Sequence, residues 1–285
     1  MLAIRPRTLP AAAAGVIVGS ALAWRDGFFR LDAALACLLC ALLLQIGSNL
    51  ANDVFDFERG TDTPERTGPV RATQAGLLTS SQVKAGMIVV FALAALLGLY
   101  LAWLGGWPII VIGIAAILSA IAYTGGPFPL GYYGLGDIFV FLFFGLAAVA
   151  GTYYVQAGFV SLAAWWMTIP PGLIITAILV VNNLRDLEND RKGGKHTLAV
   201  FLGEQGTKLQ YLICMIGAYL VLSLAALSGV IPWLSLLAWA TLPIAIRATR
   251  VVWTQRGHAL NAALTGTGQA ALLFSILFWI GLALS

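Results

Sequence analysis

The sequence predicts an all-α protein that crosses a membrane nine times, a bundle of transmembrane helices around a central cavity. Three observations lead there. Of 285 residues, 60% are hydrophobic and 10% charged, with a mean hydropathy of +0.91, against about 45–50% and about 25% in water-soluble domains. Nine apolar stretches reach or approach the roughly 17–25 residues that a spanning helix needs. Finally, the Lys and Arg residues fall almost entirely into alternate loops. In hydrocarbon every backbone N–H and C=O must be paired within the structure, which favours helices for such long segments. The stretches follow one another too closely to leave room for a water-soluble domain, so residues 1–285 read as one membrane domain.

The expected spans are about 8–24, 33–51, 83–104, 107–124, 137–158, 162–181, 208–228, 231–247 and 262–284. Pro6 and Pro10 punctuate the first, whose Ala21-Leu22-Ala23 end imitates a signal peptide. Leu9 to Trp24 can still span if the helix tilts little. Cys37 and Cys40 form a C-x-x-C in the second, but no His, Asp or Glu accompanies them. With Cys214 they read as small apolar packing residues. Gly105-Gly106-Trp107-Pro108 separates the third from the fourth.

Charge orients the bundle. A cytoplasmic N-terminus places Arg5, Arg7, Arg59, Arg66, Arg71, Lys84, Arg185, Arg191, Lys192, Lys195, Lys208, Arg247, Arg250 and Arg256 inside. Of the 16 basic residues only Arg25 and Arg30 then face out, beside Asp26 and Asp32. This is the positive-inside pattern, and an odd number of spans leaves the C-terminus outside. The net charge of +4 does not point to nucleic acid, because no Lys or Arg occurs between Lys84 and Arg185 to build a basic face.

Eight of the 12 acidic residues lie in two short segments at expected cytoplasmic helix ends. The first, N-D-V-F-D-F-E-R-G-T-D-T-P-E-R, starts at Asn52; the second, N-N-L-R-D-L-E-N-D-R-K-G-G-K-H-T, starts at Asn182. At helical spacing Asn49, Asn52, Asp53 and Asp56 share a face, as do Asn182, Asn183, Asp186 and Asp190. Gly60 is expected to end the first helix and return Asp62 towards it. Glu58 and Glu188 point away, towards solvent. Oxygen ligands of this kind suit Mg²⁺ that is shared with a substrate phosphate, and clustered carboxylates near a membrane need a cationic partner. Arg66, Arg71, Arg185, Lys192 and Lys195 supply charges for a diphosphate, whereas Arg59 and Lys208 are explained by topology. The clusters stand 133 residues apart, as two related halves facing one cavity would place them.

At these residues the chain resembles the UbiA family of intramembrane prenyltransferases, and within it the 1,4-dihydroxy-2-naphthoate branch. Asn52 opens N-D-V-F-D-F-x-x-G-x-D, Arg66 opens R-x-G-P-V-R, and Asn182 opens the second acidic motif. R-P-R-T-L-P-A from Arg5, Y-T-G-G-P-F-P-L from Tyr123, G-L-G-D from Gly134 and L-N-A-A-L from Leu260 extend the likeness along the chain. The resemblance implies two Mg²⁺ ions held by Asp53, Asp56, Asp62, Asp186 and Asp190, with Asn52 and Asn183 in support. It implies a polyprenyl diphosphate donor whose tail lies against membrane lipid, ionising to an allylic cation. The cation is attacked by 1,4-dihydroxy-2-naphthoate, which loses CO₂. Gly125-Gly126-Pro127 follows Tyr123 where the 4-hydroxybenzoate branch carries a basic pair.

Asp137, the one acid between Glu65 and Asp186, is expected to orient the aromatic acceptor or to cap its helix. Tyr123 is expected to face cationic charge or to anchor at the interface. His196 lies inside the second motif; His258 reads as a loop residue. Alternatives are an aromatic prenyltransferase using 4-hydroxybenzoate or homogentisate, and a transporter of a divalent or anionic solute. The transporter fits less well because its acids belong near the midplane. The expected location is a bacterial inner membrane, with the site on the cytoplasmic side.

Overall fold

The computed structural model describes residues 3–61, 68 and 71–285. Asp62 and Arg66 lie outside the described residues. Nine helical segments follow one another among those described: α1 Leu9–Arg25, α2 Leu31–Glu58, α3 Ser80–Gly105, α4 Trp107–Ala122, α5 Gly136–Ala157, α6 Leu162–Lys192, α7 Leu198–Leu227, α8 Trp233–Thr254 and α9 Gly257–Ala283. Eight are long and apolar enough to cross a membrane, and α4 is a shorter apolar helix of 16 residues. The all-α architecture expected from composition is therefore present.

Several ends differ from expectation, for one reason: a polar run need not stop a helix. α2 continues past residue 51 to Glu58, since nothing in Asn52–Glu58 breaks it before Gly60 takes φ +70°. α6, interrupted near Met167, continues past 181 to Lys192. α7 starts at Leu198 rather than 208, with a bend at Gly203, φ +67°. α8 opens in 3₁₀ geometry over Trp233–Thr241 and runs on to Thr254, beyond the expected 247. Charged side chains at helix ends reach water or each other, whereas a broken ladder leaves backbone groups unpaired.

α1 and α9 pack side by side and close the bundle, while α2 packs on α3 and α6 on α7. Rich in Ala and Gly, α1 is largely enclosed, with Ala14, Val18, Ala21 and Leu22 fully buried. Small residues let backbones approach where no hydrophobic force separates protein from lipid. The middle of α5, Phe141–Ala150, winds as a π-helix, and its wide turns offer carbonyls to α1. Outward, Leu96, Leu99, Trp103, Trp107 and Leu118 are mostly exposed, the inverse of a water-soluble surface.

Gly19 marks the tightest point of the α1–α5 contact: a Cβ there would sit 2.5 Å from the Val149 carbonyl oxygen. Gly19→Ala should cost about 1–3 kcal/mol and lower the unfolding midpoint in detergent. Gly86→Ala, whose added carbon meets only Leu50 Cδ1 at 3.8 Å, should leave the midpoint unchanged or raised. Equal midpoints for the two variants would show that this contact is not a close one.

Candidate active site

Extension of α2 and α6 beyond their apolar stretches brings residues 52–58 and 182–192 of the acidic segments onto helices that face one cavity. The cavity measures about 1240 Å³. Its polar end is lined by Asn49, Asn52, Asp56 and Arg71 from one side and by Asn183, Asp186 and Asp190 from the other. Farther in, Phe139, Phe143 and Phe144 of α5 and Ile112 of α4 make the walls apolar. Tyr123, Arg185, Lys192 and Lys195 also line it.

On α2 the face expected from helical spacing divides by task. Asn49 donates to the Ile4 carbonyl at 2.9 Å and to the Thr8 hydroxyl at 3.0 Å, tying the chain before α1 to α2. Arg5 and Arg7 thereby come to line the cavity, a place that neither the charge pattern nor their motif had assigned them. Asn52 accepts from the Thr124 hydroxyl at 3.0 Å. Asp53 is buried, outside the cavity lining, and its two oxygens accept the backbone N–H groups of Ala72 and Thr73, each at 3.0 Å. That fixes the following turn and delivers Arg71.

Asp56 gathers the charges. One oxygen accepts from Arg71 at 2.9 Å; the other accepts from the Tyr132 hydroxyl at 2.8 Å and from Lys195 at 3.2 Å. The carboxylate is almost wholly buried, so the cations replace the water it has lost. Tyr132 is a residue that sequence reasoning passed over. The Thr61 hydroxyl lies 2.8 Å from its own, Lys195 Nζ stands 4.6 Å from its ring centre and the Arg59 guanidinium 5.4 Å from it. Burial, then the charge of Asp56, pushes its pKa up, so the phenol keeps its proton and donates. Its one sequence signal is G-Y-Y-G between Pro129 and Asp137, which two glycines reduce to an ordinary turn.

On α6, among the described residues, Arg185 is the organising cation. Arg185 holds the adjacent Asp186 through two hydrogen bonds, 2.9 and 2.5 Å, and reaches Asn182 at 2.9 Å and Asn261 of α9 at 2.8 Å. Lys192 is exposed and Asp190 half-buried at the rim. Asp137 stands at the start of α5, buried but outside the cavity lining, and accepts from Gln210 of α7 at 2.9 Å. Glu58 and Glu188 turn outward to Lys84 and Arg191. Lys208 is likewise engaged elsewhere, by Glu204 at 2.7 Å. The His196 backbone N–H donates to the Tyr132 carbonyl at 2.8 Å, which joins the loop after α6 to that before α5.

Among the described residues no three His, Cys, Asp or Glu converge on a point. Hard oxygens instead face the cavity in two sets, Asn52 with Asp56 and Asn183 with Asp186 and Asp190. This donor chemistry fits Mg²⁺, which keeps part of its shell for water and substrate phosphate.

A model of the "UbiA prenyltransferase family" matches residues 12–275. The chain is 40% identical to 1,4-dihydroxy-2-naphthoate octaprenyltransferase of Escherichia coli, across 99% of this chain and 94% of that one. Its fold matches that of a UbiA homologue from Aeropyrum pernix, with a TM-score of 0.74 and 15% identity over 98% of each chain. A UbiA homologue from Archaeoglobus fulgidus bound to DMAPP and Mg²⁺ matches with a TM-score of 0.66 and 15% identity, over 98% of this chain and 99% of that one. By sequence along nearly its whole length, the chain belongs to the UbiA prenyltransferase family.

Proposed function

We propose that this protein transfers a polyprenyl chain from polyprenyl diphosphate to 1,4-dihydroxy-2-naphthoate with loss of CO₂, yielding demethylmenaquinol, the reduced form of demethylmenaquinone. The supporting observation is the division of its cavity, with carboxylates, amides and cations at one end and aromatic and aliphatic walls beyond. A donor with an anionic head and a long hydrocarbon tail matches that division. The likeness to the E. coli naphthoate octaprenyltransferase favours the naphthoate as acceptor.

Two Mg²⁺ ions would be held by Asn52 with Asp56 and by Asn183 with Asp186 and Asp190; Asp62 completes the expected set from outside the described residues. Bound there, Mg²⁺ neutralises charge on the leaving diphosphate. Arg71 and Lys195, already at Asp56, stand where they can share their hydrogen bonds with phosphate oxygens, and Lys192 approaches from the rim. Such fixed cations favour ionisation of the C–O bond. Arg185 keeps Asp186 aligned, and Arg66 belongs to the expected diphosphate set. Asp53 acts one step back, by fixing the turn that delivers Arg71. Tyr123 lines the cavity, where an aromatic ring can stabilise an allylic cation. Diphosphate leaves with the electron pair of the C–O bond; the acceptor carbon then attacks the cation, forming the C–C bond, and the carboxylate departs as CO₂, its bonding pair restoring the aromatic ring. The site faces the cytoplasmic side of a bacterial inner membrane if the basic loops follow the positive-inside rule.

The deciding assay supplies Mg²⁺ and polyprenyl diphosphate to protein in lipid, with 1,4-dihydroxy-2-naphthoate and 4-hydroxybenzoate offered separately. A decarboxylated prenyl naphthohydroquinone from the first alone, identified by mass as such or as the quinone that air oxidation makes of it, is the expected product; prenyl hydroxybenzoate alone would refute the acceptor.

The site also predicts a split between two aspartates. Asp186→Asn should lower turnover about a hundredfold or more and weaken the response to Mg²⁺. Asp53→Ala strands two buried N–H groups at about 1–3 kcal/mol each and should chiefly raise the Michaelis constant for the diphosphate. Identical Mg²⁺ profiles for the two would place both in one role. Asp137→Asn should impair use of the naphthoate more than of the diphosphate; unchanged constants for both would remove Asp137 from acceptor positioning.

A further inference from the structure

Away from the cavity, α7 and α8 enclose a second depression of about 680 Å³. Leu212, Ile216, Leu220, Trp239, Ile246 and Trp253 line it, and Arg250 is its one charged residue. Two contacts set the register of the helices. Lys208 Nζ donates to the Trp253 carbonyl at 3.3 Å, and the Trp239 indole donates to the Ser223 hydroxyl at 3.1 Å. Arg250 therefore stands opposite the first apolar residue of the groove, Leu212, on the same end of the bundle as the two acidic clusters.

The length of the groove is informative. From Leu212 to Ser223 a helix rises about 16 Å, close to the roughly 15 Å that is half of a bilayer hydrocarbon core. Its polar atoms at the deep end are already paired: the Tyr219 hydroxyl lies 2.8 Å from that of Thr241, and Ser223 donates to the Tyr219 carbonyl at 2.8 Å. Thr249 and Thr254 donate back to their own helix. A bound molecule would therefore be apolar along the whole groove and polar only at the Arg250 end.

Charge at that end is one-sided. Glu204, the nearby acid, takes Lys208 at 2.7 Å and Arg256 at 2.9 Å. Arg250 and Arg247, exposed one turn apart, have no carboxylate partner among the described residues. Their flexible stems can lift the guanidinium groups to the head-group level. Basic pockets between transmembrane helices on the cytoplasmic side favour anionic head groups.

We propose that this groove binds one anionic phospholipid of the surrounding leaflet, with an acyl chain along α7 and α8 and its phosphate at Arg250, assisted by Arg247. The occupant is a structural lipid, distinct from the prenyl substrate.

The test uses the full chain in neutral detergent, titrated with phosphatidylglycerol or phosphatidylcholine and read by native mass spectrometry. One phosphatidylglycerol should be retained in preference to phosphatidylcholine by at least about fivefold, the gain expected from one arginine near a head group. The double variant R247Q/R250Q should lose that preference while keeping its unfolding midpoint and prenyl transfer in detergent. Ile216→Trp, which fills the groove, should reduce retention of both lipids. Brominated phosphatidylglycerol should quench a component of fluorescence that Trp253→Phe removes. Equal retention of the two lipids by the parent chain, or an undiminished preference in R247Q/R250Q, would overturn the proposal. Displacement of the phosphatidylglycerol by a prenyl diphosphate would also overturn it, because the groove would then belong to the substrate path.

Discussion

A buried carboxylate in apolar surroundings has no water to turn to, and this bundle answers by bringing cations to it from elsewhere in the chain. Asp56 makes the case most fully. Arg71 reaches it from 15 residues onward, Tyr132 from 76 and Lys195 from 139. Three loops are therefore held at one end of the bundle by contact with a single side chain. Isolated, the charge would be too costly to keep; with these partners it becomes the point at which the mouth of the cavity is assembled. Asp53, beside it in sequence, serves the same end by a different route, with two backbone N–H groups fixing the turn that presents Arg71.

The apolar part of the cavity depends on a second kind of exactness, the closeness of helix backbones. Gly15 and Gly19 let α1 approach α5 until a Cβ would meet the carbonyl oxygens of Phe144 and Val149. Those carbonyls belong to a π-helical stretch, whose wider turns change the side-chain register. Phe143, Phe144 and Ala147 of that stretch all border the cavity. Close packing on one side of α5 thus coexists with open space on the other, and the space for a prenyl tail follows from where the small residues sit.

Composition was enough to show the class of fold, because no water-soluble arrangement hides so much apolar surface. The two polar faces were also legible: Asn52 with Asp56, and Asn183 with Asp186 and Asp190, line one cavity as their helical spacing requires. Less legible was anything that depended on distant pairing. Spacing puts Asp53 near Asp56 on α2 but cannot show that its oxygens are taken by Ala72 and Thr73. Tyr132 lay in a glycine-flanked turn with no periodicity to mark it, and Gln210 gives no local sign of its contact with Asp137. The ends of α2, α6, α7 and α8 differ from the hydropathy limits because hydropathy falls at the membrane edge, whereas helical hydrogen bonding continues.

The two polar faces also differ in how they are held, and the difference bears on the chemistry. On α6 one cation is built into the helix itself: Arg185 clamps Asp186 and reaches Asn182 of the same helix and Asn261 of α9. On α2 the carboxylate depends on cations carried by loops. A diphosphate entering between the two faces would meet the oxygens of Asn183, Asp186 and Asp190 on one side and the cations of Arg71 and Lys195 on the other. Arg71 and Lys195 can share their donors between Asp56 and phosphate without leaving the site, since each has more hydrogen-bond donors than one contact uses. The same groups that make the buried Asp56 tolerable would then be the ones that hold the leaving group, so stabilising the fold and binding the substrate rest on one set of charges.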